Sequence, residues 1–270
     1  TLAGLLEDKN LKNMSDEELA DAMKPVRGVS ETVKLMIAAE IRSLYVREEL
    51  EKELAPFGEG CNDIEVLYQK YHGKAAEKIK EAPFMMLRHG VSFRLCDSVA
   101  YEKGEPADST GRIEAIFHEL AGYIYKTGST CISVKDAVSV TDRIQGQSKY
   151  GKLPYEYIMS EIMASRMFKL KSYGEEIKIY TKRAYYIEEH IAMEIKRLSD
   201  SMSYTGYDGR TGHEGLDPDQ EAALRLLSTS GVKVVTGGPG SGKTTLIKRY
   251  IEEYKKLKED NLFFLCAPTG

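Results

Sequence analysis

Eight consecutive residues, Gly237-Gly238-Pro239-Gly240-Ser241-Gly242-Lys243-Thr244, carry the most concentrated chemistry in this chain. Glycines at these spacings let successive backbone N–H groups converge on one anion, and a helix that starts directly after them adds its positive dipole end. Lys243 is placed to reach the β/γ oxygens of a bound nucleoside triphosphate, and the Thr244 hydroxyl to meet Mg²⁺. These two residues are the ones expected to serve catalysis.

The flanks suit such a loop. VKVVTG, just before it, is a β-branched run of the kind that forms a buried parallel strand. KTTLIKRYIEEYKKLKED, just after it, places Leu246, Ile247, Tyr250, Ile251, Tyr254 and Leu257 on one helical face, and NLFFLCAP reads as a second strand. The order strand, loop, helix, strand predicts one βαβ unit. Two strands and one helix bury both sheet faces poorly, so the unit reads as the opening of a larger parallel sheet.

Upstream, Leu216-Asp217-Pro218-Asp219-Gln220 opens another helix, with Asp217 as N-cap, Pro218 at the first helical position and Gln220 at the third. Gln220 has two readings at this point: a capping-box partner for its own helix, or an amide that contacts adenine.

The preceding two-thirds of the chain must carry or serve this loop, and they read as mainly helical. DEELADAMKPVRGVSETVKLMIAAEIR and AAEKIKEAPFMMLRHGVSFRLCDSVAYEK share one layout: amphipathic helix, Pro, a few apolar residues, a Gly-Val-Ser turn and a second helix. In each turn Gly supplies a positive φ and Ser can cap the following helix. This is the layout of a helix-hairpin-helix, whose turn offers backbone N–H groups to a DNA phosphate, with Gly90 and Ser92 as the candidates in the second copy. The usual pattern has a second Gly where both copies have Ser, and two helical pairs that simply pack together fit the same pattern.

From Asp108, STGRIEAIFHELAGYIYKTG predicts a helix capped by Ser109 or Thr110, with Ile113, Ile116, Phe117, Leu120 and Ile124 turned inward. CISVKDAVSVTDRIQ predicts a short strand and a helix, PYEYIMSEIMASRM a further helix, and MFKLKSYGEEIKIYT a hairpin turning at Ser172–Glu175, together a winged-helix-like unit. Its Arg166, Lys169, Lys171, Lys178, Lys182 and Arg183 suit either a nucleic acid backbone or ordinary solvation. Tyr185, Tyr186, Ile187, Ile191 and Ile195 in the next helix predict a core face. SYTGYDGRTGHEG then reads as a linker. The division expected is 1–107 tandem helix-hairpin-helix-like, 108–200 helical and winged-helix-like, 201–215 linker and 216–270 the start of a P-loop domain.

Composition excludes several classes. With a net charge of -4, contact with nucleic acid must come from local basic patches. Cys61, Cys96, Cys131 and Cys266 form no C-x-x-C pair, and the histidines share no ligand spacing, so neither a zinc cage nor a disulfide framework is expected and a reducing cytoplasm fits best. No apolar run approaches the ~20 residues of a membrane span, so no membrane partner is expected. The first residue is Thr, not Met, and the chain closes soon after the loop, which suggests an excerpt of a longer protein.

LDPDQEAA, VVTGGPGSGKTT and APTG together resemble the first helicase motifs of RecD-type enzymes of superfamily 1, the exodeoxyribonuclease V alpha-subunit family. YHGKAAEKIKEAPFMMLRHGVSFRLCDSVAYEKG and YTKRAYYIEEHIAMEIKRL are similar to the N-terminal region of its long, stand-alone members, which carry helix-hairpin-helix repeats before a RecA-like motor. The resemblance implies a multidomain protein, mainly α and then α/β, that uses ATP and Mg²⁺ to move 5′ to 3′ on single-stranded DNA in repair or recombination. Single strands, duplex/single-strand junctions and repair or recombination proteins would be its partners.

On that resemblance Gln220 reads adenine, and the nucleotide set becomes Gln220, Gly238, Pro239, Gly240, Ser241, Gly242, Lys243, Thr244 and Thr245. Pro268, Thr269 and Gly270 begin a DNA-backbone motif. The acidic Mg²⁺ motif, the γ-phosphate-sensing glutamine and the arginine fingers have no match in this chain, so it is expected to bind nucleotide and hydrolyse it poorly. Two other classes compete. One is a DNA-binding or partner-docking module indifferent to ATP; the other is a small-molecule phosphotransferase, which the long helical region before the loop and the APTG after it disfavour.

Overall fold

The computed structural model describes residues 15–24, 28–58, 60–146, 148–200, 215–227, 231–257 and 263–266. The chain divides into two compact units, Thr1–Tyr185 and Tyr186–Gly270.

In the first unit, α1 (Asp16–Ala22) starts from Ser15, whose hydroxyl accepts from Glu18 N at 3.2 Å while the Glu18 carboxylate accepts from Ser15 N at 2.7 Å. Its Leu19, Ala20 and Met23 bury against Ala38 of α2 (Glu31–Leu54), a small satellite core. Ser30 caps α2 through Val33 N at 3.3 Å. Within the first Gly-Val-Ser turn, Gly28 has φ +83°, while Arg27 lies outside the described residues.

The second repeat follows its expected layout in full. A 3₁₀ turn (Ala55–Phe57) leads to α3 (Cys61–Tyr71), and another (His72–Lys74) to α4 (Ala75–Glu81). Pro83 then opens a 3₁₀ segment, Pro83–His89, which ends on Gly90 in the left-handed region, and α5 (Phe93–Glu102) begins from its cap Ser92.

The winged-helix-like unit comprises α6 (Thr110–Lys126), β1 (Cys131–Ser133), α7 (Val134–Gln145), α8 (Tyr155–Ala164), β2 (Phe168–Tyr173) and β3 (Glu176–Thr181). Its sheet is antiparallel in the order β1-β3-β2. Ser109 is the cap of α6, and Ile113, Ile116, Phe117, Leu120 and Ile124 are all buried as their spacing predicts. One apolar cluster runs without a break from Leu50 through Leu95, Ile116 and Ile162 to Ile179. The helical layer and the small sheet therefore share a core, and that core crosses residue 107.

The helix α9 (Lys182–Asp200) departs from expectation. Its Tyr186, Ile187, Ile191 and Ile195 were expected to form a core face, yet each is about half-exposed, between 46% and 51%; Ala184 is the buried residue of this helix. Helical spacing makes an apolar stripe, but only a facing element can bury one.

In the second unit, α10 (Pro218–Leu227) and α11 (Lys243–Leu257) pack through Leu224 and Leu246, with Leu216, Val235, Tyr250 and Tyr254 around them. Residues 232–238 and 263–266 form neither helix nor sheet ladder, so the two strands of the expected βαβ unit are not formed among the described residues. Val234, Phe264 and Leu265 stay 83%, 85% and 77% exposed. A parallel strand is stable when strands flank it and helices cover both its faces, and two short helices among the described residues do not supply that setting. The linker stretch 201–214 and Pro268-Thr269-Gly270 lie outside the described residues.

Candidate nucleotide site

The phosphate loop is shaped by its own glycines. Gly240 and Gly242 both sit at φ +75°, which L side chains rarely adopt. At Gly238 and Gly240 a Cβ would meet nothing within 4 Å, leaving open space on the side where phosphates would lie, whereas a Cβ on Gly237 would run into the Ser241 hydroxyl. Ser241 N donates to Gly238 O at 3.3 Å and closes the turn. Leu246 N donates to Gly242 O at 2.9 Å and begins α11 on the residue after the loop.

Lys243 folds back over this turn. Its Nζ donates to Gly237 O at 2.8 Å, to Gly238 O at 2.7 Å and to Ser241 Oγ at 3.3 Å. Three acceptors hold the ammonium at the mouth of the loop, where an incoming phosphate would exchange carbonyl partners for charged ones, a stronger class of hydrogen bond. Thr244 and Thr245 are exposed in the first turn of α11, which leaves the Thr244 hydroxyl open to a hydrated cation. Among the described residues no group of three or more His, Cys, Asp or Glu is placed to hold a metal ion.

Gln220 serves the capping reading and also reaches the phosphate loop. Asp217 Oδ1 accepts from Gln220 N at 2.8 Å and Gln220 Oε1 accepts from Asp217 N at 3.3 Å, a complete capping box. Its Nε2 reaches across to donate to Ser241 O at 3.3 Å, beside Gly242, where any side chain would collide with the amide. Gln220, Ser241, Gly242 and Lys243 therefore converge, while the structure does not describe the DNA-motif residues 268–270.

The second Gly-Val-Ser turn is a closed unit. Gly90 N donates to Leu87 O at 3.0 Å, Val91 N to Met86 O at 3.4 Å, and Ser92 N to Asp63 Oδ1 at 2.6 Å. The Ser92 hydroxyl also donates to Asp63 Oδ2 at 2.7 Å, and the same carboxylate accepts from Gly60 N at 3.0 Å. All three turn N–H groups have internal acceptors, so a phosphate at this turn would have to displace one of them or engage other groups. Space for an approach exists: a Cβ on Gly90 would touch nothing within 4 Å.

Sequence reasoning missed Asp63, which reads as an ordinary acidic residue in a first helical turn. It also missed the buried Asp97–Arg112 pair: Arg112 Nε donates to Asp97 Oδ1 at 2.7 Å, Nη1 to Ala107 O at 2.8 Å and Nη2 to Ser148 Oγ at 3.1 Å. Neither long-range pairing has a local sequence signal, because Ser92 lies 29 residues from Asp63, and Asp97 and Ser148 lie 15 and 36 residues from Arg112.

Comparisons with known proteins match both regions of the chain. Residues 45–131 match the family described as the ATP-dependent RecD2 DNA helicase HHH domain, which takes in α3 to α5 and the closed turn. Residues 220–270 match an AAA domain, beginning at Gln220. The RecBCD enzyme subunit RecD of Mycobacterium tuberculosis is 30% identical over 158 residues, covering 54% of this chain and 26% of the relative. An uncharacterized protein of Methanocaldococcus jannaschii is 31% identical over 80 residues, 30% of this chain and 7% of that protein. The chain thus spans about a quarter of the length of the RecD relative. With a helix-hairpin-helix region, a winged-helix-like unit and a phosphate loop in this order, the chain resembles the N-terminal region of RecD-like helicases.

Proposed function

We propose that this region belongs to an ATP-driven DNA helicase that moves 5′ to 3′ along single strands in repair or recombination. The observation that carries the reading is the convergence of Gln220 and Lys243 on Ser241 in the phosphate loop. ATP, when bound, would supply the phosphoanhydride whose cleavage drives movement, and Mg²⁺ would offset the charge of its phosphates. On this reading Lys243 would hold the β/γ oxygens, Thr244 would give the metal a hydroxyl, and Gln220 would read the adenine edge. Gly238, Pro239, Gly240, Ser241, Gly242 and Thr245 shape the cradle.

The division into 1–107 as a tandem helix-hairpin-helix-like region, 108–200 as a helical and winged-helix-like region, 201–215 as linker and 216–270 as the start of the motor belongs to the same proposal. So does DNA contact at Pro268, Thr269 and Gly270 and at the Gly90–Ser92 turn, with single strands and duplex/single-strand junctions as substrates and the cytoplasm as the compartment. The residues present form a binding set; no described group orients the attacking water or neutralises the γ-phosphate beyond Lys243.

Lys243→Ala in the intact protein tests the reading. DNA-stimulated ATP hydrolysis is expected to fall at least a hundredfold, and unchanged hydrolysis would overturn the proposal.

A further inference from the structure

The outer face of the three-stranded sheet carries a cluster that the nucleotide site does not use. Alternation along β2 turns Phe168 and Leu170 toward the core and Lys169, Lys171 and Tyr173 away from it. On β3 the same alternation puts Lys178 and Tyr180 on the outer face, opposite Lys171 and Lys169 respectively. The Tyr173 and Tyr180 hydroxyls share a hydrogen bond of 2.9 Å, and the Tyr185 ring stands edge-on to Tyr180 with centroids 5.5 Å apart. The ammonium groups of Lys169 and Lys171 lie 5.8 and 6.0 Å from the Tyr185 ring centroid.

Two features set this face apart from a solvated hairpin. On the face itself Lys169, Lys171 and Lys178 stand against Glu176, and the segment 166–183 as a whole holds six cations, Arg166, Lys169, Lys171, Lys178, Lys182 and Arg183, against Glu175 and Glu176, a local charge of +4 in a chain of net -4. Lys171 and Lys178 are directly opposite each other across the two strands, a like-charge pairing that costs stability, offset at Lys178 by its ion pair with Glu176 at 2.7 Å. A bound polyanion relieves that repulsion. The cations are also interleaved with tyrosines, and Tyr173 is 53% exposed, so the face offers rings as well as charge.

We propose that this face is a second nucleic-acid site, independent of nucleotide, which takes single-stranded DNA. The backbone phosphates follow Lys169 and Lys171 while an unpaired base stacks on the exposed Tyr173 ring. A duplex keeps its bases paired and has no free ring to offer Tyr173, so the face favours single strands. The proposal rests on the helicase reading only for the choice of DNA as the polymer.

Fluorescence anisotropy of a labelled oligothymidylate of about 16 nucleotides, titrated with the chain in the absence of ATP over a salt series, tests it. Lys169→Gln combined with Lys171→Gln is expected to weaken binding about tenfold and to flatten the salt slope by about 0.7 for each lysine removed. Tyr173→Leu is expected to weaken binding severalfold and leave the slope unchanged, whereas Tyr173→Phe, which keeps the ring and loses only the bond to Tyr180, binds as the parent does. Lys149→Gln, an exposed cation elsewhere on the unit, is the control and is expected to change nothing.

An unchanged affinity in the lysine double variant overturns the proposal, as does equal or tighter binding of a duplex of the same length. Equal losses in Tyr173→Leu and Tyr173→Phe overturn the stacking role. Lys243→Ala should leave this ATP-independent binding intact, so failure of the nucleotide reading and failure of this one are seen separately.

Discussion

Gln220 and Ser241 lie 21 residues apart and are joined by one hydrogen bond, from Gln220 Nε2 to Ser241 O at 3.3 Å. The opposite end of the same amide accepts from Asp217 N, so one side chain both starts α10 and braces the phosphate loop. Glutamine suits this position because it carries a donor and an acceptor on one rigid plane.

Gln220→Glu separates the two tasks, since a carboxylate keeps the acceptor for Asp217 N and loses the donor to Ser241 O. The substitution is expected to leave α10 capped and to weaken ATP binding about tenfold, with loss of preference for ATP over GTP. Gln220→Ala should in addition cost about 1 kcal/mol through the lost cap. Titration with fluorescent ATP and GTP analogues checks both, and ATP affinity unchanged in Gln220→Glu would reduce the residue to a cap.

Asp63 is 4% exposed and accepts from Gly60 N, Ser92 N and the Ser92 hydroxyl, holding the second Gly-Val-Ser turn against the start of α3. Asp63→Ala leaves those donors without their acceptor and is expected to destabilise the first unit by about 2–3 kcal/mol in urea unfolding. Ser92→Ala on the Asp63→Ala background should cost little more than Asp63→Ala alone, because most of the hydroxyl's contribution runs through that carboxylate.

The Asp97–Arg112 pair is fully desolvated, with side-chain exposures of 3% and 0%, and the Arg112 guanidinium also lies 4.5 Å from the Tyr150 ring centroid. Removing one partner strands a buried charge, so Asp97→Ala or Arg112→Ala should each cost about 3–5 kcal/mol. Asp97→Leu with Arg112→Met, which removes both charges and keeps the volume, should recover a large part of that loss in the same unfolding measurement.

Burial pushes the Cys96 thiol well above its ordinary value of 9.0, with the nearby Asp63 carboxylate adding to the effect. The folded state holds the neutral thiol, while the unfolded chain ionises it near that ordinary value. The stability contributed is therefore present in full below about pH 9 and is lost as pH rises beyond it. Cys96→Ala should show a shallower decline in urea midpoint between about pH 8 and pH 10 than the parent chain. In the folded protein, exposed Cys266 should be alkylated well before Cys96.

The features legible in the sequence were those whose physics is local. The caps at Ser30, Ser92 and Asp217 and the 3.6-residue stripe of α6 all depend on residues a few positions apart. So do the hairpin at Tyr173–Glu176 and the left-handed glycines of the phosphate loop. Chain order brought each set together before any tertiary contact formed. Gln220 shows where this stops: its capping role was visible in Asp217-Pro218-Asp219-Gln220, but its reach to Ser241 required α10 and α11 to pack through Leu224 and Leu246.

Tertiary structure alone decided the rest. It alone paired Asp63 with Ser92 and Asp97 with Arg112, and placed Lys169, Lys171, Tyr173 and Tyr180 on one face with Tyr185 against it. It also left the α9 stripe exposed and the runs at 232–238 and 263–266 outside any sheet ladder, where sequence predicted a core face and two strands. The reason is the same in each case. Periodicity and propensity state which surface a segment could bury, whereas burial and ladder pairing need a partner, and the identity of that partner is set by packing between segments distant in the chain.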